Sequence, residues 1–361
     1  MGWGGCACED NPVRGTSPQG RTFAGLMNRI EAIEAPVAEE MKVFRKHFRE
    51  AMRTDVALLD TITRYIIRRN GKQMRPLFVF LTARLHGAEN RGLGPAFEVG
   101  GHRSLVAASL IELLHTATLV HDDVVDESPM RRGFFSIQAL WRKKIAVLVG
   151  DYLLSRGLLM AVDQDTFDLL KITSQAVREI SEGELLQIEK ARRLDITEEV
   201  YFEIIRRKTA SLIAACCACG CAAVGGTADE VQRMWRFGEC VGLAFQIKDD
   251  LLDLGDGHRT GKPTGVDIKE RKMTLPLIHT LQQVPSSERR RLIRLVKHHS
   301  DNPACVQEVM DTILRGPGMD YARKRMADYR DEAEQLLADF PDTPVRRALI
   351  DLVDFTIERK Q

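Results

Sequence analysis

Residues 102–127 read "HRSLVAASLIELLHTATLVHDDVVDE". No glycine or proline interrupts this stretch, and it reads as one long helix. It is apolar enough for a core, yet it carries Asp122, Asp123 and Asp126 at one end. The pattern recurs in "FQIKDDLLDL" at 245–254, with Asp249, Asp250 and Asp253. On a helix, residues four apart lie one above the other. Asp122 and Asp126 therefore share a face, as do Asp249 and Asp253, while Asp123 and Asp250 sit about 100° round. One such set would read as a solvated acidic face. Two sets with apolar flanks need compensation, because buried like charges repel and lose their water.

The rest of the chain is also helical in pattern. Ile30, Ile33, Val37, Met41, Phe44, Phe48 and Met52 step by three and four into one apolar stripe. Pro36 interrupts it near its start and suits the first position of a new helix. Further helices are predicted at about 55–69, 74–86, 135–161, 164–189, 196–226 and 228–253. A Gly-rich connection covers 86–101 and a polar loop 255–274. Charged amphipathic helices follow, broken at 284–287, 315–318 and 340–344. No strand alternation, hairpin signal or fixed-period repeat is present. The fold class is all-α: a flexible leader at 1–22, then one multi-helix domain over 23–361.

The 52 basic and 51 acidic side chains nearly cancel, which argues against a nucleic-acid partner recognised by bulk charge. Cys6 and Cys8 lie in the leader, Cys216, Cys217, Cys219 and Cys221 crowd into "AACCACGC", and Cys240 and Cys305 stand alone. This is no disulfide framework, and a reducing cytosol fits it. The crowded set lacks the spacing of a zinc site and reads as small-residue helix packing. The first 22 residues show no basic start followed by an apolar stretch. Thr209 to Ala228 is uncharged and long enough for a bilayer, but its Ala, Cys and Gly are weakly hydrophobic. It reads as a buried helix, and no transmembrane segment is expected.

Magnesium compensates the paired aspartates economically. It is a hard ion that prefers carboxylate oxygen, keeps water, and bridges to substrate phosphates. His121 precedes Asp122 on a different face and reads as a packing or supporting residue. Cations for phosphate are present too. Lys72 and Arg75 lie three apart in "GKQMRP", Arg131 and Arg132 follow the first acidic set, Lys208 and Thr209 sit in "RRKTA", and Lys262 and Lys272 flank the polar loop. Singly each is an ordinary surface cation. Around two aspartate sets they form a diphosphate clamp. "GKPTG" is not a P-loop, since the GxxxxGK[ST] frame is missing.

The combination of "GKQMRP", "LLHTATLVHDDVVDESPMRRG", "RRKTASL" and "FQIKDDLLDLGDGHRTGKPTGVDIKERKMTLPLI" resembles the trans-isoprenyl diphosphate synthases, or polyprenyl synthetases. The resemblance runs from about residue 25 to the C-terminus, and the first motif is most similar to the long-chain octaprenyl and solanesyl branch. It implies the isoprenoid synthase fold around a central apolar cavity, and it implies as partners isopentenyl diphosphate, an allylic diphosphate such as farnesyl diphosphate, and a second copy in a homodimer. It implies Mg2+ held by Asp122, Asp126 and Asp249, with Asp123, Asp250 and Asp253 in support. Arg131, Lys208, Lys262 and Lys272 would hold the allylic diphosphate, with Thr209 and Gln246 close to the reacting centre. Lys72, Arg75, His115 and Arg132 would bind isopentenyl diphosphate. A terpene cyclase usually mixes Asn, Ser or Thr and Glu into its second motif, whereas "DDLLD" has only aspartates. A non-catalytic subunit would be expected to lose a motif. One helical turn rises about 5.4 Å, close to one isoprene unit. Thr118, Ala117, Leu114, Ile111 and Leu110 precede Asp122 on the expected tail side, and small Ala117 and Thr118 predict long products.

Overall fold

The computed structural model describes residues 29–69, 73–87, 101–131, 133–193, 196–255 and 264–358. Helical turns at 29–34 pass through a 3-10 turn, Ala35–Val37, with Pro36 at its start, into α1 (Ala38–Ala51). All seven residues of the predicted apolar stripe from Ile30 to Met52 are buried. Next come α2 (Ala57–Arg68), α3 (Met74–Gly87) and α4 (Gly101–Val125), the first aspartate helix.

Two short strands follow, β1 (Met130–Arg131) and β2 (Phe134–Phe135), paired antiparallel with Arg131 opposite Phe134. This corrects the expectation of no hairpin. Strands of two residues leave no alternation to read. The helix expected at 135–161 is also divided, into α5 (Ile137–Trp141) and α6 (Lys143–Asp163), because Arg142 takes φ +74° between them. Then come α7 (Phe167–Arg193) and α8 (Glu198–Ile205). A π-helical turn, Arg206–Ala210, joins α8 to α9 (Ser211–Ala223). The second aspartate helix is α10 (Ala228–Gly255). The remainder comprises α11 (Val266–Lys269), α12 (Leu275–Gln283), α13 (Ser286–His298), α14 (Pro303–Arg315), α15 (Gly318–Leu336) and α16 (Pro344–Glu358).

Helix α9 is the hub, packed against α3, α4, α7 and α10. Its four cysteines are fully buried free thiols, and burial pushes the Cys216 thiol up to about 12. Small residues make this crowding possible. A Cβ at Gly220 would lie 2.1 Å from Thr82 Oγ1 of α3, and one at Gly242 of α10 would lie 2.4 Å from Ala210 Cα. Helix α10 is a shared wall. Val241 and Ala244 join the main core, whereas Leu243, Ile247, Leu251 and Leu254 join a second core with α12 to α15.

Two helices among the described residues are long and apolar enough to cross a membrane, and neither is the Thr209–Ala228 stretch. Helix α4 has 78% of its apolar window inside the molecule, but α6 only 33%. On α6, Val147, Leu148, Leu158, Leu159 and Val162 form an exposed stripe.

Candidate active site

The two aspartate clusters lie at the C-terminal ends of α4 and α10, and the π turn stands between them. Lys208 of that turn pairs with Glu184 of α7 and donates to Gln187 Oε1 at 3.3 Å. Its charge acts on Asp122 of α4. The next residue, Thr209, donates to Gln246 Oε1 of α10 at 2.8 Å. The wider turn is held by close packing on α7, where a Cβ at Gly183 would lie 2.8 Å from Lys208 N. It is also held by charge: Arg206 reaches Glu203 at 3.0 Å, Glu179 at 3.3 Å and Glu239 at 3.7 Å.

Within each cluster the aspartates divide by surroundings. Asp122 is half-buried, and burial followed by the nearby Glu184 charge pushes its carboxyl up to about 6, against the pull of Lys208 and Arg131. Asp126 is exposed at the helix end. Asp123 is buried and accepts from Arg131 Nε at 2.7 Å. In the second cluster Asp249 is half-buried. Asp250 is 3% exposed and accepts from Tyr201 at 2.7 Å and from Gln246 Nε2 at 3.1 Å. Burial, then the Asp267 charge, pushes it up to about 7. Asp253 accepts the backbone N–H groups of Val266 and Asp267 at 3.1 and 3.2 Å, which ties α11 to the end of α10. Burial raises it as well. Asp267 is likewise pushed up by burial to about 6, although Lys272 stands 3.5 Å away. Burial lowers Lys272, but its bond to Glu270 and the Asp267 charge outweigh this and raise it.

Asp122, Asp250, Asp253 and Asp267 are therefore short of positive charge, and the donors are all oxygen. A hard divalent cation fits such a set. Among the described residues no three His, Cys, Asp or Glu side chains cluster closely enough to hold a metal alone. An ion that shares its coordination among a few carboxylates, water and substrate phosphate needs no such cage.

The hairpin presents Arg131, and Arg69 fixes the hairpin. Arg69 donates to the carbonyls of Phe135 and Arg131 at 2.8 and 3.0 Å, and lies over the Tyr65 and Phe134 rings. Gln138 of α5 donates to the Asp123 and Ser128 carbonyls. His121 turns toward α6, its Nε2 being 3.2 Å from the Val147 carbonyl and 3.4 Å from Asp151. Arg75 on α3 and the buried Glu112 on α4 both act electrostatically on Cys216 of α9. His115 is half-buried about two helical turns before Asp122 on the same helix. Lys72, Arg132 and Lys262 lie outside the described residues. Below the aspartate end of α4, Ala117 and Ile111 belong to the main core, and Thr118 donates to the His115 carbonyl at 2.8 Å. Leu110 and Leu114 form a separate apolar cluster with Ala161, packed on by Leu154, Leu170 and Val177. The sequence reading missed Glu184, Gln187, Tyr201 and Asp267. The first two stand three apart in "GELLQ", a spacing too common in charged helices to signal a site.

The polyprenyl synthetase family model matches residues 56–313. An all-α bundle with this sequence is a prenyltransferase. The chain belongs to the polyprenyl synthetase family. It is 35% identical to the octaprenyl diphosphate synthase of Escherichia coli over 331 residues, covering 91% of this chain and 99% of that protein. It is 36% identical to the all-trans-nonaprenyl-diphosphate synthase (geranyl-diphosphate specific) of Rhodobacter capsulatus, covering 91% and 98%. The decaprenyl diphosphate synthase structure from Rhodobacter capsulatus superposes with a TM-score of 0.83 at 35% identity, covering 92% and 99%. The polyprenyl synthase of Caulobacter crescentus, complexed with calcium and isoprenyl diphosphate, does so at 0.80 and 32%, covering 92% and 98%.

Proposed function

We propose that the protein is a Mg2+-dependent trans-polyprenyl diphosphate synthase. It adds isopentenyl diphosphate repeatedly to an allylic diphosphate such as farnesyl diphosphate, giving an all-trans product of about C30–C50 for quinone side chains. The carrying observation is the π turn, whose Lys208 faces the first aspartate cluster while Thr209 bonds to the second aspartate helix.

In this reading Asp122, Asp126 and Asp249 hold the metal. Asp123, Asp250 and Asp253 hold the scaffold, through Arg131, through Tyr201 with Gln246, and through the α11 backbone. Magnesium, when bound, supplies the charge that makes diphosphate a leaving group. Arg131, Lys208, Lys262 and Lys272 bind the allylic diphosphate. Lys208 exchanges Glu184 for a diphosphate oxygen as substrate enters. Lys72, Arg75, His115 and Arg132 bind isopentenyl diphosphate, whose double bond attacks the allylic cation beside Thr209 and Gln246. Loss of a proton completes each five-carbon addition. The apolar helices keep water from the cation. The tail leaves along α4 past Thr118 and Ala117 toward Leu114.

The domain spans 23–361 behind a leader at 1–22, and the enzyme is a cytoplasmic homodimer. The α6 stripe supports the dimer. Asp151 lies mid-helix with its side chain 61% exposed, a costly charge in lipid but an ordinary one at a protein interface. Light scattering of the purified protein should give twice the chain mass. Incubation with magnesium, labelled isopentenyl diphosphate and farnesyl diphosphate, followed by chromatographic sizing, tests the activity. Hydrocarbon released without isopentenyl uptake would make it a cyclase, and no reaction would leave a subunit without catalysis.

A further inference from the structure

Tyr201 and Thr209 are eight residues apart. In an unbroken α-helix eight steps of about 100° would turn them roughly 80° from one another. The π turn between them, bonded i to i+5, takes up rotation, and both side chains meet α10. Tyr201 reaches Asp250 at 2.7 Å, and Thr209 reaches Gln246 at 2.8 Å. Gln246 and Asp250 are one turn apart on α10, bonded at 3.1 Å. The four side chains close a ladder between α8 with its π turn and α10.

The ladder has a direction. The Tyr201 O–H donates to Asp250 Oδ2, and the Gln246 amide turns its NH2 toward Asp250 Oδ1. That leaves Gln246 Oε1 to accept from the Thr209 hydroxyl. Tyr201 is 5% and Asp250 3% exposed, so water does not readily replace either partner. The Tyr201 ring is fixed edge-on against Phe202, with centroids 5.3 Å apart.

We infer that Tyr201 is a positioning residue. Its phenol anchors Asp250, and through Asp250 it fixes the Gln246 amide so that Gln246 Oε1 and Thr209 Oγ1 are aligned at the reacting centre. This rests on the synthase reading above. Wild-type uptake of isopentenyl diphosphate tests that reading alone, before any variant is compared.

The test is Tyr201→Phe, which removes one hydroxyl and keeps the ring. Turnover should fall about tenfold, the effect of one lost bond to a charged group. The KM for isopentenyl diphosphate and the calorimetric affinity for magnesium with inorganic diphosphate should stay within about twofold. In a Gln246→Ala background, Tyr201→Phe should have almost no further effect, because the group it orients is gone. If Tyr201→Phe does not fold, Asp250→Asn provides the second variant. Its amide opposes the Gln246 NH2, turns that side chain over and should lower turnover similarly with the magnesium–diphosphate affinity retained. Near-wild-type turnover in the variant that folds would overturn the inference. So would full multiplication of the two losses in the double variant, or a matching loss of magnesium–diphosphate affinity, which would assign Tyr201 to the metal cluster instead.

Discussion

Asp122→Asn should make the metal-free protein more stable and the enzyme far slower. The folded chain holds the Asp122 carboxyl at about 6, against an ordinary 3.8. Below 3.8 both folded and unfolded forms are protonated, so no penalty exists. As pH rises toward 6 the unfolded chain ionises first, and the folded state loses stability relative to it. Above 6 the full penalty remains. Two units at about 1.4 kcal/mol each give a ceiling of about 3 kcal/mol. Partial exposure reduces this to about 1–2 kcal/mol. For a chain of this size the asparagine variant should melt roughly 1–3 °C higher at pH 8 in a chelator. At pH 4.5 most of that difference should vanish, since the folded aspartate is then protonated.

The assay is thermal unfolding by circular dichroism at both pH values, alongside turnover with saturating magnesium and substrates. Turnover should fall about 10²–10³-fold, as for loss of one group that stabilises developing charge. An Asp122→Asn protein no more stable than wild type at pH 8 would show that the carboxylate is not charge-starved. Preserved turnover would remove the first cluster from the chemistry. Asp250, held at about 7, and Asp267, at about 6, act in the same direction. The metal-free wild type should therefore lose stability as pH rises from about 4 to 7 and level off above that, and added magnesium with diphosphate should restore it.

Arg75→Ala should mainly weaken isopentenyl diphosphate and Lys262→Ala the allylic substrate, each by roughly ten- to a hundredfold in steady-state kinetics; equal effects on both substrates would reverse the assignment. Ala117 is fully buried, so Ala117→Phe should either shorten the product to about C15–C20 or overpack the core by about 1–3 kcal/mol. Product sizing and melting, measured together, separate the two outcomes. A folded, active variant with unchanged products would show that the tail does not pass this face. Gly183→Ala places a methyl against the Lys208 backbone. It should displace the π turn and lower turnover more than it lowers the melting temperature; turnover falling only in step with unfolding would make Gly183 a packing residue.

The two aspartate helices were legible because their signal is local. Apolar flanks and carboxylates four apart can be read along a single segment, and α4, α9 and α10 all fall where periodicity predicts them. The residues that join those helices were not legible, for the same physical reason. Tyr201 reads as one more apolar residue of α8 until α10 brings Asp250 to its hydroxyl. Glu184 reads as one more charge on α7 until the π turn delivers Lys208 to it. The π turn itself leaves no composition signal in "RRKTA", because it is imposed from outside. Gly183 admits the bulge, and Glu179, Glu203 and Glu239 hold Arg206 at its start. A continuous α-helix over 196–226 is the correct local expectation, and tertiary charge and packing override it at the one place where two aspartate helices must be bridged. The conflict between local preference and final structure thus falls on Lys208 and Thr209, where the π turn has a task to perform.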